Sequence, residues 1–189
     1  MEESSRREVL ADAAITVLAH SGGRGLTHRA VDRAAGVAEG STSYYFRTRA
    51  SLLSAVVARL AALDTATFPD HSGPGRPGLV DDLTDVIEQV TTTGRHRLLA
   101  RYELTLEATR RPELAEVLRA NGAEVRRAMA DRLSAAEIAE VADPQRTAGQ
   151  LLALLDGLLI NRVTGVGAPQ LDAEDIRAQV DRLLAAAGA

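Results

Sequence analysis

Residues Gly25 to Leu53 read GLTHRAVDRAAGVAEGSTSYYFRTRASLL, and the order of residue types in this stretch decides the fold. Thr27 stands as an N-cap before a short apolar face of Ala30, Val31 and Ala34. Gly36 follows as the left-handed residue that ends this helix. Val37 is placed to fill the gap before a second short helix, expected over 39–45. On that helix Thr42 and Phe46 are four apart and face inward, so Ser41, Tyr44 and Tyr45 fall on the opposite face. Thr48 then caps a third helix, whose stripe is Leu52, Leu53, Val56, Val57 and Leu60. A helix, a tight glycine turn and a second short helix are the parts of a helix-turn-helix.

The chemistry of the second helix is unusual for this chain. The sequence has five aromatic residues, and three of them are Tyr44, Tyr45 and Phe46. Phenols and hydroxyls donate to phosphate oxygens without carrying charge, a common way of holding a protein in register on a duplex. Glu39, with Gly40 and Ser41 at the start of the helix, is placed to meet base edges. Its carboxylate suits a cytosine amino group in the major groove. Behind Thr48 the free amides of a helix start, with Arg49 beside them, make a phosphate seat. Thr27, His28 and Arg29 open the preceding helix on the same side, and His28 is read as lying near phosphate.

In these residues the sequence resembles the TetR-type transcriptional repressors. The shared pattern is a Leu-Thr pair, a basic residue, Ala-Gly-Val, a short tyrosine-rich helix ending in Phe, then a basic residue and Leu-Leu. Two departures stand out: Thr42-Ser43 where many members have Leu-Tyr, and Arg49-Ala50 where Lys-Glu is usual. The first removes one phenol, and the second keeps the charge. The resemblance implies a homodimer that binds double-stranded operator DNA, with a small-molecule effector held in its C-terminal region. Beyond residue 60 only the helical layout matches.

Outward from this stretch, helical spacing continues almost throughout. Upstream, Val9, Leu10, Ala13, Ala14, Val17 and Leu18 form one stripe, with Ser5 and Glu8 at capping-box spacing and Gly22-Gly23 as its stop. Residues 68–78, FPDHSGPGRPG, read as a loop. Further stripes start at Leu79, Leu98 and Pro112. Asp143-Pro144 is an N-cap followed by proline at the first helical position, and Asp172 caps the last helix. The expected fold is all-α, with about nine helices. The expected division is a DNA-binding domain at 1–48, a connecting helix at 49–67 and a ligand-binding and dimerisation domain at 79–189.

Composition fits an ordinary soluble chain of 189 residues with 46% apolar and 25% charged residues. It contains no cysteine, which excludes disulfide and thiolate chemistry, and every basic side chain other than histidine is arginine. Net charge is −4, yet residues 1–50 hold seven arginines against six acids, so the first quarter is slightly basic on an acidic body. The N-terminus lacks an apolar run, and the densest one, Leu151 to Ile160, is broken by Asp156 and too short for a bilayer. A cytoplasmic protein without membrane contact is expected.

The helix after Pro144 is apolar on more than one face, which favours a second chain as an added partner. Gly149, Ala153 and Gly157 recur every four residues as a smooth ridge. With Leu155 and Leu158, and with Val180 and Leu184 of the last helix, they are the expected four-helix dimer interface. Polar residues on apolar faces mark the expected effector pocket: Tyr102 among Leu98 and Leu106, Asn121 beside Val125, and Asp156. The four histidines show no metal-ligand spacing, and there is no phosphate loop or nucleophile elbow, so no metal, cofactor or catalytic residue is expected. The function read from the sequence is a repressor released from a palindromic operator by a ligand. The alternatives are an activator or ligand-independent regulator of the same fold. Outside that class stands a helical enzyme or protein-binding bundle whose tyrosine helix is only structural.

Overall fold

The computed structural model describes residues 3–65, 73–138, 141–166 and 172–187. Among these residues there are nine helices and no strand. In chain order they are α1 (Glu3–Gly25), α2 (His28–Ala34), α3 (Ser41–Tyr45), α4 (Arg49–Thr65), α5 (Gly75–Thr91), α6 (Arg95–Ala108), α7 (Pro112–Ala135), α8 (Pro144–Thr164) and α9 (Ala173–Ala187).

The chain divides into two compact units, residues 1–66 with 94–121 and residues 67–93 with 122–189. This differs from the expected boundary at 79. The reason is a shared core: Ala100 and Leu104 of α6 and Leu114 of α7 are buried with Leu10, Ala14 and Leu18 of α1 and Val56 and Leu60 of α4. Helix α6 therefore belongs to the first unit as much as α2 and α3 do. Phe46, Val31 and Leu26 close the same core, and Val37 and Tyr45 pack on its rim.

Charged pairs stitch this first unit. Arg59 of α4 grips Asp12 of α1 with two prongs, Nε to Oδ1 at 2.8 Å and Nη2 to Oδ2 at 2.9 Å, the geometry a planar guanidinium favours. Arg101 of α6 pairs with Asp64 of α4. Helix α1 begins at Glu3, so Ser5 lies inside it and the expected capping box is not its start. It breaks at Gly22, where φ is 64°.

The second unit is built on the stripes of α5, α7, α8 and α9. Leu79, Leu83 and Ile87 meet Met129 and Leu133, Leu151 and Leu155, and Ile176, Val180 and Leu184. Arg76 of α5 reaches Asp181 of α9 at 2.8 Å, and Arg177 pairs with Asp81. The Asp143 carboxylate accepts from the amides of Gln145 and Arg146 as the expected N-cap, and Asp172 accepts from Asp175 N in the same role.

Candidate nucleic-acid interface

Helices α2 and α3 and the turn between them form the expected helix-turn-helix. Thr27 caps α2, its Oγ1 accepting from Ala30 N at 3.1 Å. Gly36 turns the chain at φ 64°, a conformation that glycine adopts without the Cβ clash other residues suffer. The second helix is shorter than expected and starts at Ser41. Gly40 precedes it in a left-handed conformation, φ 95°. Thr48 caps α4, with Ser51 N donating to its Oγ1 at 3.0 Å.

The turn is fastened by a residue that the sequence reading passed over. Asp32, on α2, is 3% exposed. Its Oδ2 accepts from Gly40 N at 2.8 Å. Its Oδ1 accepts from Thr42 N at 2.7 Å and from Thr42 Oγ1 at 2.5 Å. Burial acts to raise the Asp32 pKa. The bonds from the Thr42 hydroxyl, the Thr42 amide and the Gly40 amide, with the nearby His28, outweigh it and hold the carboxyl below its ordinary value. The signal for Asp32 was weak in sequence, because an acid inside a helix stripe reads as solvated. The expected inward residue Ala34 is exposed instead.

The outward face of α3 carries the tyrosines. Tyr44 is 75% exposed. Tyr45 is half-buried against the core, and its ring meets that of Tyr44 edge-on at 5.0 Å. A cleft of about 520 Å³ is lined by Arg6 of α1, by Gly36, Val37 and Ala38 of the turn, and by Ser41, Tyr44 and Tyr45. Ser41 Oγ donates to Ala38 O at 2.7 Å. Arg29 and Glu39 are both well exposed and form an ion pair at 2.5 Å. Arg7 stacks its guanidinium over Phe46 at 4.8 Å and donates to Tyr45 O at 3.2 Å.

Two expected phosphate contacts are engaged inside the protein. The Arg49 guanidinium donates to Leu26 O at 2.5 Å and Gly23 O at 2.6 Å, and lies 3.5 Å from Glu107 of α6. It braces the turn between α1 and α2, because three inward acceptors outcompete solvent for its donors. His28 Nε2 donates to Phe46 O at 2.6 Å. The sequence reading missed Arg6 and Arg47. Arg47 follows Phe46 and is exposed, and Arg6 lines the tyrosine cleft.

The expected effector residues fall into different settings. In the first unit Leu98 is buried, Tyr102 and Asn121 are half-buried, and Leu106 is exposed. In the second, Val125 is half-buried and Asp156 exposed. Leu106 points outward because α6 turns Ala100 and Leu104 to the core, and two residues further on is the far side of a helix. Of the expected dimer residues, Leu155, Val180 and Leu184 belong to the core of their own unit. They satisfy one another within the chain, so no partner is needed to bury them. Gly149 and Leu158 are half-buried, and Ala153 and Gly157 are exposed.

Among the described residues no cluster of three or more His, Cys, Asp or Glu has the arrangement of a metal site. No helix among them is long and apolar enough to cross a membrane.

The family described as "Bacterial regulatory proteins, tetR family" matches residues 10–56, and "Tetracyclin repressor-like, C-terminal domain" matches residues 74–186. No curated protein matches the sequence. A TetR-family regulator structure from Rhodococcus sp. is 26% identical over 98% of this chain and 100% of its own, with a TM-score of 0.78. A TetR-family member from Streptomyces coelicolor is 30% identical over 94% of this chain and 97% of its own, with a TM-score of 0.73. The multidrug binding protein EbrR, complexed with ethidium, is 31% identical over 94% and 98%, with a TM-score of 0.70. With both family regions matched in order and a helix-turn-helix where the first one lies, the chain belongs to the TetR family of transcriptional regulators, DNA-binding proteins rather than enzymes.

Proposed function

We propose that the protein is a cytoplasmic homodimeric repressor that leaves a palindromic operator when a small molecule binds it. The observation that carries the reading is the outward face of α3, where Tyr44 stands 75% exposed beside Tyr45 and the cleft that Arg6 lines. An exposed aromatic in a chain with five needs a surface to meet, and a duplex backbone supplies one. Tyr44, Tyr45, Arg6 and Arg47 hold phosphates in this reading, with the backbone around Thr27. Glu39, positioned by Arg29, with Gly40 and Ser41 at the head of α3, faces base edges.

Dimerisation is assigned to the outer face of α8. Ala153, Leu154, Gly157 and Ile160 recur at helical spacing and are exposed, and a side chain at Gly157 would meet nothing within 4 Å. Two-fold symmetry of such a pair makes the operator palindromic. The effector reading rests on Tyr102, Leu98 and Asn121 of the first unit, and favours a largely apolar, neutral or cationic molecule. The similarity to EbrR, solved with ethidium, supports the cationic choice.

The test is direct. Duplexes selected from a random pool by the full-length protein should share an inverted repeat and bind with steep salt dependence in fluorescence anisotropy. Ethidium or a similar aromatic cation should raise the melting temperature by mass action and lower operator affinity. Selection that enriches no sequence overturns the DNA-reading assignment. Operator binding indifferent to every cation tried, with no thermal shift, overturns the effector assignment alone.

A further inference from the structure

We infer that Asp32 is a positioning residue for sequence recognition: its buried carboxylate sets the register and tilt of α3 and thereby decides which bases the head prefers. The inference rests on the DNA-reading assignment above and deepens it.

A helix of five residues, Ser41–Tyr45, cannot hold its own orientation. It is far below the length at which helical propensity sustains itself, and its two inward side chains, Thr42 and Phe46, are separated by a single turn. Phe46 anchors the C-terminal end by entering the core. The N-terminal end has no apolar anchor. The cap residue Gly40 has no side chain, and Ser41 Oγ points back to Ala38 O. Beside the bond from Ser41 N to Ala38 O at 3.1 Å, what holds that end is one carboxylate on the neighbouring helix. Asp32 takes both amides available to it, Gly40 N and Thr42 N, and also the Thr42 hydroxyl.

The geometry is demanding in a way that apolar packing is not. Three donors from two residues converge on two oxygens, so rotation of α3 about its axis or a slip along it breaks at least one bond. An ionised acid that has lost a partner in a buried site is costly. The carboxyl is held below its ordinary pKa by these same bonds, as expected where the charged form is the one being gripped. The residues at stake are those next to the clamp. Glu39 precedes Gly40, and Ser41 lies between Gly40 and Thr42, so a shift of the clamp moves the groups that face base edges. The phosphate-facing groups further along, Tyr44 and Arg47, are tied to the Phe46 end instead.

This separation gives a readout that loss of stability alone would not move. Asp32→Asn keeps the volume but replaces one acceptor oxygen with an NH2 group that cannot take an amide proton. For the folded protein, affinity for the selected operator should fall roughly tenfold or more. Affinity for a scrambled duplex of equal length, and its salt slope, should stay unchanged. Thr42→Val, which removes only the hydroxyl, should show a smaller loss of the same kind, and Thr42→Ser should restore it. Equal losses on operator and scrambled duplex, or no loss in either variant, would overturn the proposal. If Asp32→Asn does not fold, Thr42→Val and hydrogen exchange of the unaltered protein decide. The Gly40 and Thr42 amides should exchange slowly without DNA, and exchange as fast as the Glu39 amide would mean that the clamp is not formed. Failure of the unaltered protein to prefer any duplex would count against the DNA-reading assignment itself, whereas a preference untouched by Asp32 and Thr42 counts only against the clamp.

Discussion

Arginines in the head divide by what their guanidinium groups touch. Arg49 spends its donors on Leu26 O and Gly23 O, while Arg47 is exposed at the end of the recognition helix. Arg47→Ala should weaken binding to every duplex and reduce the slope of log affinity against log salt by about 0.9, the signature of one lost phosphate contact. Arg49→Ala should instead lower the melting temperature by several degrees through about 1–3 kcal/mol of unsatisfied carbonyls, with the salt slope kept. Titrations at several salt concentrations, beside a melting curve, separate the two. The sequence made Arg49 look like a phosphate ligand because it stands at a capped helix start, where anions bind. It could not reveal that Gly23, Leu26 and Glu107 converge on the same side chain from elsewhere in the chain. Asp32 was hidden for a related reason. Its donors lie in a turn eight to ten residues away, and no periodicity reports them.

Helix α8 shows how far periodicity carries at the scale of an element. An apolar surface on several sides was legible, and with it the need for cover on more than one face. Which leucines face which neighbour was not, because Leu154 and Leu155 are adjacent in sequence and a helix turns about 100° between them. Leu155 is buried in the core, whereas Leu154 is 43% exposed. Leu155→Arg should therefore destabilise the second unit by more than about 3 kcal/mol, since it puts an unpaired charge into a packed core. Leu154→Arg or Gly157→Arg should leave the fold intact and give a monomer by light scattering, with operator affinity reduced. A folded Leu154→Arg dimer would place the interface elsewhere. Caps were the most legible elements: Thr27, Thr48, Asp143 and Asp172 all perform as their positions suggest, because capping depends on bonds within three residues.

At the scale of the whole molecule, acid should act on the first unit through specific carboxylates. Asp32 and Glu107 have pKa values below their ordinary ones. In Glu107 the bond from Arg111 is the leading cause, opposed by burial and helped by the charges of Arg111 and Arg49. A depressed folded pKa adds stability that is present above the unfolded value and lost as pH falls through the folded one. The reference values are 3.8 and 4.5, so stability should decline below about pH 4.5. Asp64 works the other way. Burial raises its pKa against the pull of Arg101, so its ionisation costs stability and protonation relieves it. Two opposing signs predict a shallow acid limb, and Glu107→Gln should make it shallower still in denaturant titrations between pH 5 and 3. An acid limb identical in that variant would show that the Glu107 pairs carry no net weight. The all-helical class and the order of elements were legible because helices declare themselves locally. The division into units was not, since it rests on contacts between α1 and α6 that lie some 80 residues apart, such as Gly23 N to Glu103 at 2.9 Å.

The same contacts mean that the head is not a transplantable module. A fragment ending at the close of α4 would carry every residue proposed to touch DNA, yet it would leave Leu10, Ala14 and Leu18 facing water where Ala100 and Leu104 belong. It would also strip Arg49 of Glu107 and Gly23 of Glu103. Grafting this specificity onto another regulator therefore requires residues 94–121 to travel with it, and a chimera joined at residue 67 should inherit the reading surface without the means to fold it.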